Sequence, residues 1–580
     1  MGGACSRKRD PQTVEENAVH GSVSRRYSKS GSSKWLGGAS FSRASVDNKD
    51  GNPIPPSLME LCIYKISEEI SQYGTFSMLP RDISQQIFNE LVYSQRLTEA
   101  YLEAFQDCAL QDINLGEYPG VDDTWMDVIS SQGASLLSAD LSGSEVTDSG
   151  LFHIKDCKNV DALNFNFCDQ ISDVGLGYIN GLSNLTTLSF KRNNNITTKG
   201  MSALSGLVNL LKLDLERCPG IHGGLVHLKG LKKLEGLNLN CCNCITDTDM
   251  KPLSDLSNLK ELQISCSKVT DHGVTFLKGL HKLELLNMEC CPITAACLDS
   301  LSDLGFLLYL NVSRSKLTDD GCEKFSKMKS LKVLNLGFND VSGVVLAHLK
   351  GLINLESLNL DSCGIRDEGL VHLAGLNNLK CLELSDTQVG NNGLRHLSGL
   401  VNIESLNLSF TVITDGGLRY LAKMSSLRSL NLDVRQVTDA GLAALASLTG
   451  LIHLDLFCAK ITDTGTNHLR NFKKLRSLEI CGGGLTDAGV KNIKDLKSLM
   501  ILNLSQNSHL TDKSLEYISE LTELVSLNVS SSRVTSTGLK HLTSLKNLKS
   551  LSLESTKVTA NDIKKLLISH LPDLMSFRPE

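Results

Sequence analysis

Residues 355–378 read LESLNLDSCGIRDEGLVHLAGLNN, and the same pattern restarts at Leu379. Leu358 and Leu360 alternate with Ser357, Asn359 and Asp361, the spacing of a short strand with one face turned inward. Asp367 stands two residues before a glycine, as do Asp271, Asp319, Asp415, Asp439, Asp463 and Asp487 in their own stretches. A carboxylate there is expected to cap the first turn of a helix, whose buried stripe would be Leu370, Leu373 and Leu376. Strand, turn and helix within 24 residues cannot bury their apolar faces alone, so each unit must stack on its neighbours.

The pattern extends in both directions. Units open at residues 136, 160, 185, 210, 234, 259, 283, 307, 331, 355, 379, 403, 427, 451, 475, 499, 524 and 548, always 24 or 25 apart, eighteen in all. Leu110–Gly133 reads as an irregular nineteenth that covers the open end. A fixed period of this length is the signature of a solenoid. The expected fold is α/β, with parallel strands inside and helices outside.

The ninth position of each unit is distinctive. It holds Cys168, Cys218, Cys242, Cys291 and Cys363, with Asn193, Asn339 and Asn507, and Ser or Thr in most others. Small hydrogen-bonding side chains suit the point where the chain leaves the strand and its amides need partners. With Ile/Val-Thr-Asp following, the pattern resembles the cysteine-containing leucine-rich repeats of F-box/LRR proteins, over about 440 of the 580 residues. The resemblance implies a ribonuclease-inhibitor-like horseshoe whose concave face holds a protein.

Composition narrows the function classes. The chain carries 58 Lys and Arg against 64 Asp and Glu, a net charge of −6. Residues 1–50 hold nine basic and five acidic residues, +4, which leaves −10 on the remainder. An acidic body disfavours nucleic acid as a ligand. The 18 cysteines follow no secretory leader, and no run of 18 apolar residues occurs, so the chain is expected in the cytoplasm with its thiols reduced.

Three regions follow. Residues 1–55 are basic and serine-rich with little to bury, and read as disordered. Residues 56–109 regain apolar residues at helical spacing: Leu58, Leu61, Cys62, Ile66 and Ile70, then Ile83, Ile87 and Leu91. Residues 110–580 form the repeat domain. Gly2 and Ser6 match an N-myristoylation signal. Cys5 could take a palmitoyl chain, and Arg7-Lys8-Arg9 would add attraction to the inner leaflet of the plasma membrane. Ser28 beside Arg25-Arg26 would weaken that attraction on phosphorylation.

Leu79-Pro80, followed by Ile83, Ile87, Phe88 and Leu91, resembles the opening of an F-box, the helical module that docks on the Skp1-type adaptor of SCF ubiquitin ligases. The later Val-Cys-x-x-Trp segment of that family is absent, and Leu97–Cys108 is only loosely comparable. The resemblance implies adaptor binding through 79–108. The residues alone also suit a helical cap over the first repeat.

On the inner face, the fifth position of each unit forms a column from Asp140 through Asn359 to Ser552 that contains no Lys or Arg. Phe410, Val434 with Arg435, and Phe457 lie at three consecutive strand exits and are candidate partner-binding residues, since aromatic and Arg side chains dominate interface hot spots. Inward packing of those rings is the alternative. His348, His372 and His396 share one helix position, and Cys241, Cys266 and Cys290 share the eighth position. Both series read as repeat consensus and not as metal sites. No catalytic motif or cofactor site is evident, so the protein is expected not to be an enzyme. The leading expectation is a substrate-recognition subunit of an SCF-type ubiquitin ligase. The alternative is a membrane-anchored scaffold with no ubiquitin role.

Overall fold

The computed structural model describes residues 56–569, 571, 574 and 576–578. The chain divides into Met1–Ser40 and Phe41–Glu580, and every described residue belongs to the second unit. Gly2, Cys5, Ser28 and the tail over 1–55 lie outside the described residues. Among the described residues, no helix is long and apolar enough to cross a membrane.

Among the described residues, twenty strands of three residues each, from Asp112–Asn114 to Ser576–Arg578, form one all-parallel sheet. Each pairs with its neighbours in sequence, so Leu358 lies between Leu334 and Leu382. The irregular unit from Leu110 supplies the first strand, opposite Ser138–Asp140. The last strand, which the eighteen-unit count did not include, pairs Ser550 with Ser576. Leu355, Leu358, Leu360, Ile365, Leu370, Leu373 and Leu376 are all fully buried. Their counterparts in other units join one continuous core. Each such leucine removes enough apolar surface to be worth ~1.5–3 kcal/mol before entropy is counted.

The second layer holds the expected helices in two forms: Asp148–Ile154, Gly343–Leu349 and Asp487–Ile493 are α-helices, and other units are tighter. Gly369–Leu373 is a 3₁₀ helix, as are Gly224–Leu228, Cys322–Lys327, Gly465–Asn471 and Gly538–Ser544.

The aspartates do not cap their own helices. Where a side-chain cap is made, it comes from the preceding Thr or Ser: Thr438 Oγ1 accepts from Ala440 N–H, and Asp439 is the first helical residue. From there its carboxylate points sideways into the next unit. It accepts from Thr462 N–H (2.8 Å) and from the Thr462 hydroxyl (2.5 Å). Asp463 does the same to Thr486 at 2.9 and 2.6 Å, and Asp487 to Thr511 at 3.0 and 2.7 Å. Each acid is therefore a staple between units. The glycine at the corresponding place in the next unit makes room for it: a Cβ on Gly393 would stand 2.7 Å from Asp367 Oδ1.

Ninth-position cysteines and asparagines donate to carbonyls of the preceding unit, whereas Thr387, Thr411 and Thr556 donate to carbonyls of their own. Cys218 Sγ reaches Phe190 O at 3.2 Å, Cys242 Sγ reaches Leu215 O at 3.1 Å, and Asn507 Nδ2 reaches Ile480 O at 2.8 Å. A thiol, an amide and a hydroxyl share the position because each is a donor of similar size.

Before the sheet come two main helices, α1 (Leu58–Glu68) and α2 (Arg81–Tyr93). A capping box opens α1, with Ser57 and Glu60 bonding each other's backbone amides. Gln85 on α2 acts as a substitute for a missing strand. Its Oε1 accepts from Gln111 N–H (2.9 Å) and Asp112 N–H (3.1 Å), and its Nε2 donates to Asp112 O (2.6 Å). A free sheet edge would otherwise invite pairing with another chain.

Candidate protein-binding surfaces

Along the fifth position the side chains turn back on their own backbone. Asn359 Oδ1 accepts from Asp361 N–H at 2.8 Å, and Asn238, Asn311, Asn407 and Asn528 bond the amide two residues on at 3.0 Å. Asp214 and Asp455 do so at 2.9 Å. This is the Asx turn that carries the chain out of each strand. The column is thus a structural device, and specificity must lie at the positions flanking it.

Two carboxylates in the column are perturbed. Burial raises Glu383 to about 7; a hydrogen bond from Asn407 opposes this and the charge of Asp361 adds to it. Burial likewise raises Asp214 to about 6. A partner or mutation that removes water from either group favours its neutral form further.

The eighth position has a shared backbone. Gly143, Phe167, Arg192, Arg217 and their successors down to Ser555 all adopt positive φ, between 51° and 71°. The exception is Val434. A β-branched residue is strongly disfavoured in the left-handed region, so the chain there leaves the shared path, with Val434 N–H donating back to Leu432 O (2.6 Å), and the side chains exchange roles. Val434 turns inward and is 2% exposed, and Arg435, at the donor position, is pushed out. The expectation that Val434 faces a partner is therefore corrected.

Phe410 keeps the positive φ and is 61% exposed, with Val412 also exposed near it in sequence. Its N–H donates to Asp433 O at 3.0 Å. Arg435 stands close enough to Cys458 to act on its thiol, which bonds Asp433. Phe457 is half-buried, its N–H held by Asp455. The structure thus places Phe410, Arg435 and Phe457 on neighbouring units at the strand exits, with Asp433 and Cys458 between them.

The six residues of the F-box resemblance separate into two groups. Leu79 and Pro80 are exposed and Ile83 is half-buried. Ile87, Phe88 and Leu91 are fully buried, and the Phe88 ring meets Phe105 edge-on at 5.5 Å. Those three are corrected from adaptor contacts to core residues, because α2 must cover the first repeat with its apolar side. What the sequence reading missed is the other side of the module. Met78 is 91% exposed, Leu58 78%, and Leu61 and Tyr93 are also open. Gln85 was missed too, since a lone glutamine on a helix carries no signal of the strand edge it meets.

His348, His372 and His396 are part-exposed. Among the described residues, no group of three or more His, Cys, Asp or Glu is placed to hold a metal ion.

Comparison with known proteins follows the repeat register. One family model, described as leucine rich repeat, matches residues 306–365 and 473–534. A second of the same description matches 181–205, 230–254, 375–398 and 400–422. No curated protein matches. Among solved structures, an internalin from Listeria monocytogenes shares 26% identity over 57% of this chain and 88% of its own, with a TM-score of 0.45. The TLR13–ssRNA13 complex shares 22% over 81% and 68%, TM-score 0.48. The plant peptide hormone receptor RGFR1 bound to RGF2 shares 18% over 83% and 81%, TM-score 0.42. Repeat spacing, the single parallel sheet and the family matches agree: this chain carries leucine-rich repeats stacked in an open solenoid fold.

Proposed function

We propose that the protein is a substrate-recognition subunit of an SCF-type ubiquitin ligase, holding a target protein on its sheet face and a Skp1-type adaptor on its helical module. Stacked repeats offer long surfaces suited to protein ligands. The observation that carries the reading is the apolar surface left open on the module, where Met78 and Leu79 lead into Pro80 and α2, with Leu58 and Leu61 exposed on α1. Exposed apolar residues grouped on a small module mark an interaction site. Phe410 and Arg435 are the target-side residues of the proposal. The protein supplies proximity and orientation, and the transfer chemistry belongs to partner enzymes. It uses no cofactor of its own and no nucleic acid.

A second reading draws on the buried Ile87, Phe88 and Leu91 and on the Gln85 clamp. In it the module is an end cap and the chain a scaffold without a ubiquitin role. In either case the protein is cytoplasmic and reaches the inner leaflet by acylation of Gly2 and Cys5, since two lipid signals are needed to hold. Co-purification from cells separates the readings. A Skp1-type adaptor retained by the wild type and lost with Met78→Asp/Leu79→Asp supports the ligase. Absence of any adaptor from the wild-type complex leaves the scaffold. Fractionation of Gly2→Ala tests the anchor: a protein that stays on membranes has another one.

A further inference from the structure

The eighth-position column carries a feature that protein binding does not use. Cys241, Cys266 and Cys290 occupy it on three successive units, with φ of 59°, 55° and 57°. Their backbones run in register: Cys241 N–H donates to Ser265 O (2.7 Å), Cys266 N–H to Glu289 O (2.8 Å) and Cys290 N–H to Ser313 O (3.0 Å). Adjacent strands lie ~4.8 Å apart, which falls within the Cα separation a disulfide can span. Cys266 stands between the other two in the column, close enough for its thiol to be influenced by both Cys241 and Cys290. Cys266 and Cys290 are exposed to solvent, and Cys241 is half-buried. Arg217 and Arg314 stand at the two ends of the trio in the same column, each paired with an acid, Glu216 (3.8 Å) and Glu289 (3.6 Å). The neighbouring ninth-position cysteines, Cys242 and Cys291, are buried and donate to carbonyls. One set of thiols is structural, and the other is open.

We propose that Cys290 and Cys266 form a peroxide-sensitive thiol site, in which Cys290 is the attacking sulfur and Cys266 the resolving one. In the first step the Cys290 thiolate attacks one oxygen of hydrogen peroxide. The O–O bond breaks, sulfur is oxidised to sulfenic acid, and the departing hydroxide takes up a proton to leave as water. In the second step the Cys266 sulfur displaces the hydroxyl from Cys290. An S–S bond forms, and the Cys266 proton leaves with that hydroxyl as a second water. Two thiols and one peroxide thus yield one disulfide and two waters.

The direction of attack follows from the environment. The neighbouring Cys266 thiol, the largest influence on Cys290, holds its thiol below the ordinary range, and Arg314 adds to this against burial and the charge of Glu289. Cys266 itself is pushed up to about 11, mainly by Cys290 and burial against the opposing influence of Cys241. Thiolate character sets reactivity, so Cys290 reacts first. Cys241 lies two strands from Cys290, ~10 Å, too far to resolve it directly.

The protein provides its own control in Cys458, which occupies the same column with φ 60° but has Val434 and Gly482, not cysteines, at that position of the two adjacent units. The experiment exposes reduced protein to hydrogen peroxide, traps sulfenic acid with dimedone, and maps adducts and disulfides by peptide mass spectrometry. In the wild type a Cys266–Cys290 disulfide is expected, with Cys290 consumed at least about tenfold faster than Cys458. Cys266→Ser should convert the disulfide into a persistent dimedone adduct at Cys290. Cys290→Ser should abolish both, with an unchanged thermal transition showing that the fold is intact. Equal consumption of Cys290 and Cys458, or a wild type that forms no Cys266–Cys290 bond, overturns the proposal. So does a Cys266→Ser variant whose Cys290 gains no adduct.

Discussion

Units opening at 355 to 499 and units opening at 185 to 331 share one architecture and differ in how they are fastened. In the first group every unit staples the next. Asp367, Asn391, Asp415, Asp439, Asp463, Asp487 and Asp512 reach Gly390, Thr414, Thr438, Thr462, Thr486, Thr511 and Thr535. In the second group only Asp247, Asp271 and Asp319 do so. Thr198, Gly223, Ala295 and Gly343 stand in the other four places. After Thr198 and Ala295 the following unit enters its 3₁₀ helix through a left-handed glycine, Gly223 (φ 76°) or Gly321 (φ 88°). The same leucine core thus tolerates two kinds of seam. The continuous run bears Phe410 and Arg435, and the interrupted one bears the open thiols.

The largest effect should come from crowding a staple. Gly393→Ala places a methyl 2.7 Å from Asp367 Oδ1 and 2.9 Å from Leu370 Cδ1. Strain together with a displaced hydrogen bond should cost ~2–4 kcal/mol in urea unfolding. Gly375→Ala, whose Cβ meets nothing within 4 Å, should change stability by less than ~0.5 kcal/mol. Equal effects at the two glycines would sink the staple account.

Next in size is a pH effect within the same group of units. Glu383 is raised to about 7 in the folded protein, so its neutral form is favoured there. Its contribution is intact below the unfolded carboxylate range and is lost as pH rises through about 7. Glu383→Gln should therefore gain up to ~3 kcal/mol over the wild type at pH 8 to 9 and almost nothing near pH 4. Urea midpoints at both pH values measure this. The staples run the other way. Burial works to raise Asp487, yet hydrogen bonds from Ser514 and Thr511 outweigh it and hold the carboxyl below its usual range. Its contribution is present at neutral pH and disappears as acid protonates it.

Smaller again is removal of one staple. Asp463→Ala leaves the Thr486 amide and hydroxyl without their carboxylate and should cost ~1–3 kcal/mol. Repair of a gap should be the smallest effect. Ala295→Asp places an acid beside Gly321 and opposite Thr318, and should add ~0.5–1.5 kcal/mol, seen as increased amide-exchange protection of 318–327. A loss of protection there would show that the left-handed entry at Gly321 has closed the site to a carboxylate.

The legible part of the candidate site was what repeats. Phe410 could be found because it departs from the small polar residues around it. Val434 looked equally conspicuous and was misplaced, because its orientation depends on a φ that only neighbouring strands reveal. Ile87, Phe88 and Leu91 followed the helical step correctly, but periodicity does not say which of two apolar faces covers the core and which stays open.

The sequence by itself determined the solenoid, its register and its buried leucines, because a 24-residue period of apolar positions has one way to remove them all from water. It also marked the ninth position as one for small hydrogen-bonding side chains, but not that they would donate to carbonyls. Tertiary structure alone decided what the polar residues do: aspartates reach across to the next unit, asparagines fold back on their own backbone, and a glutamine closes the sheet edge. Hydrogen bonds are directional and short, so their partners are fixed only when separate units are brought side by side.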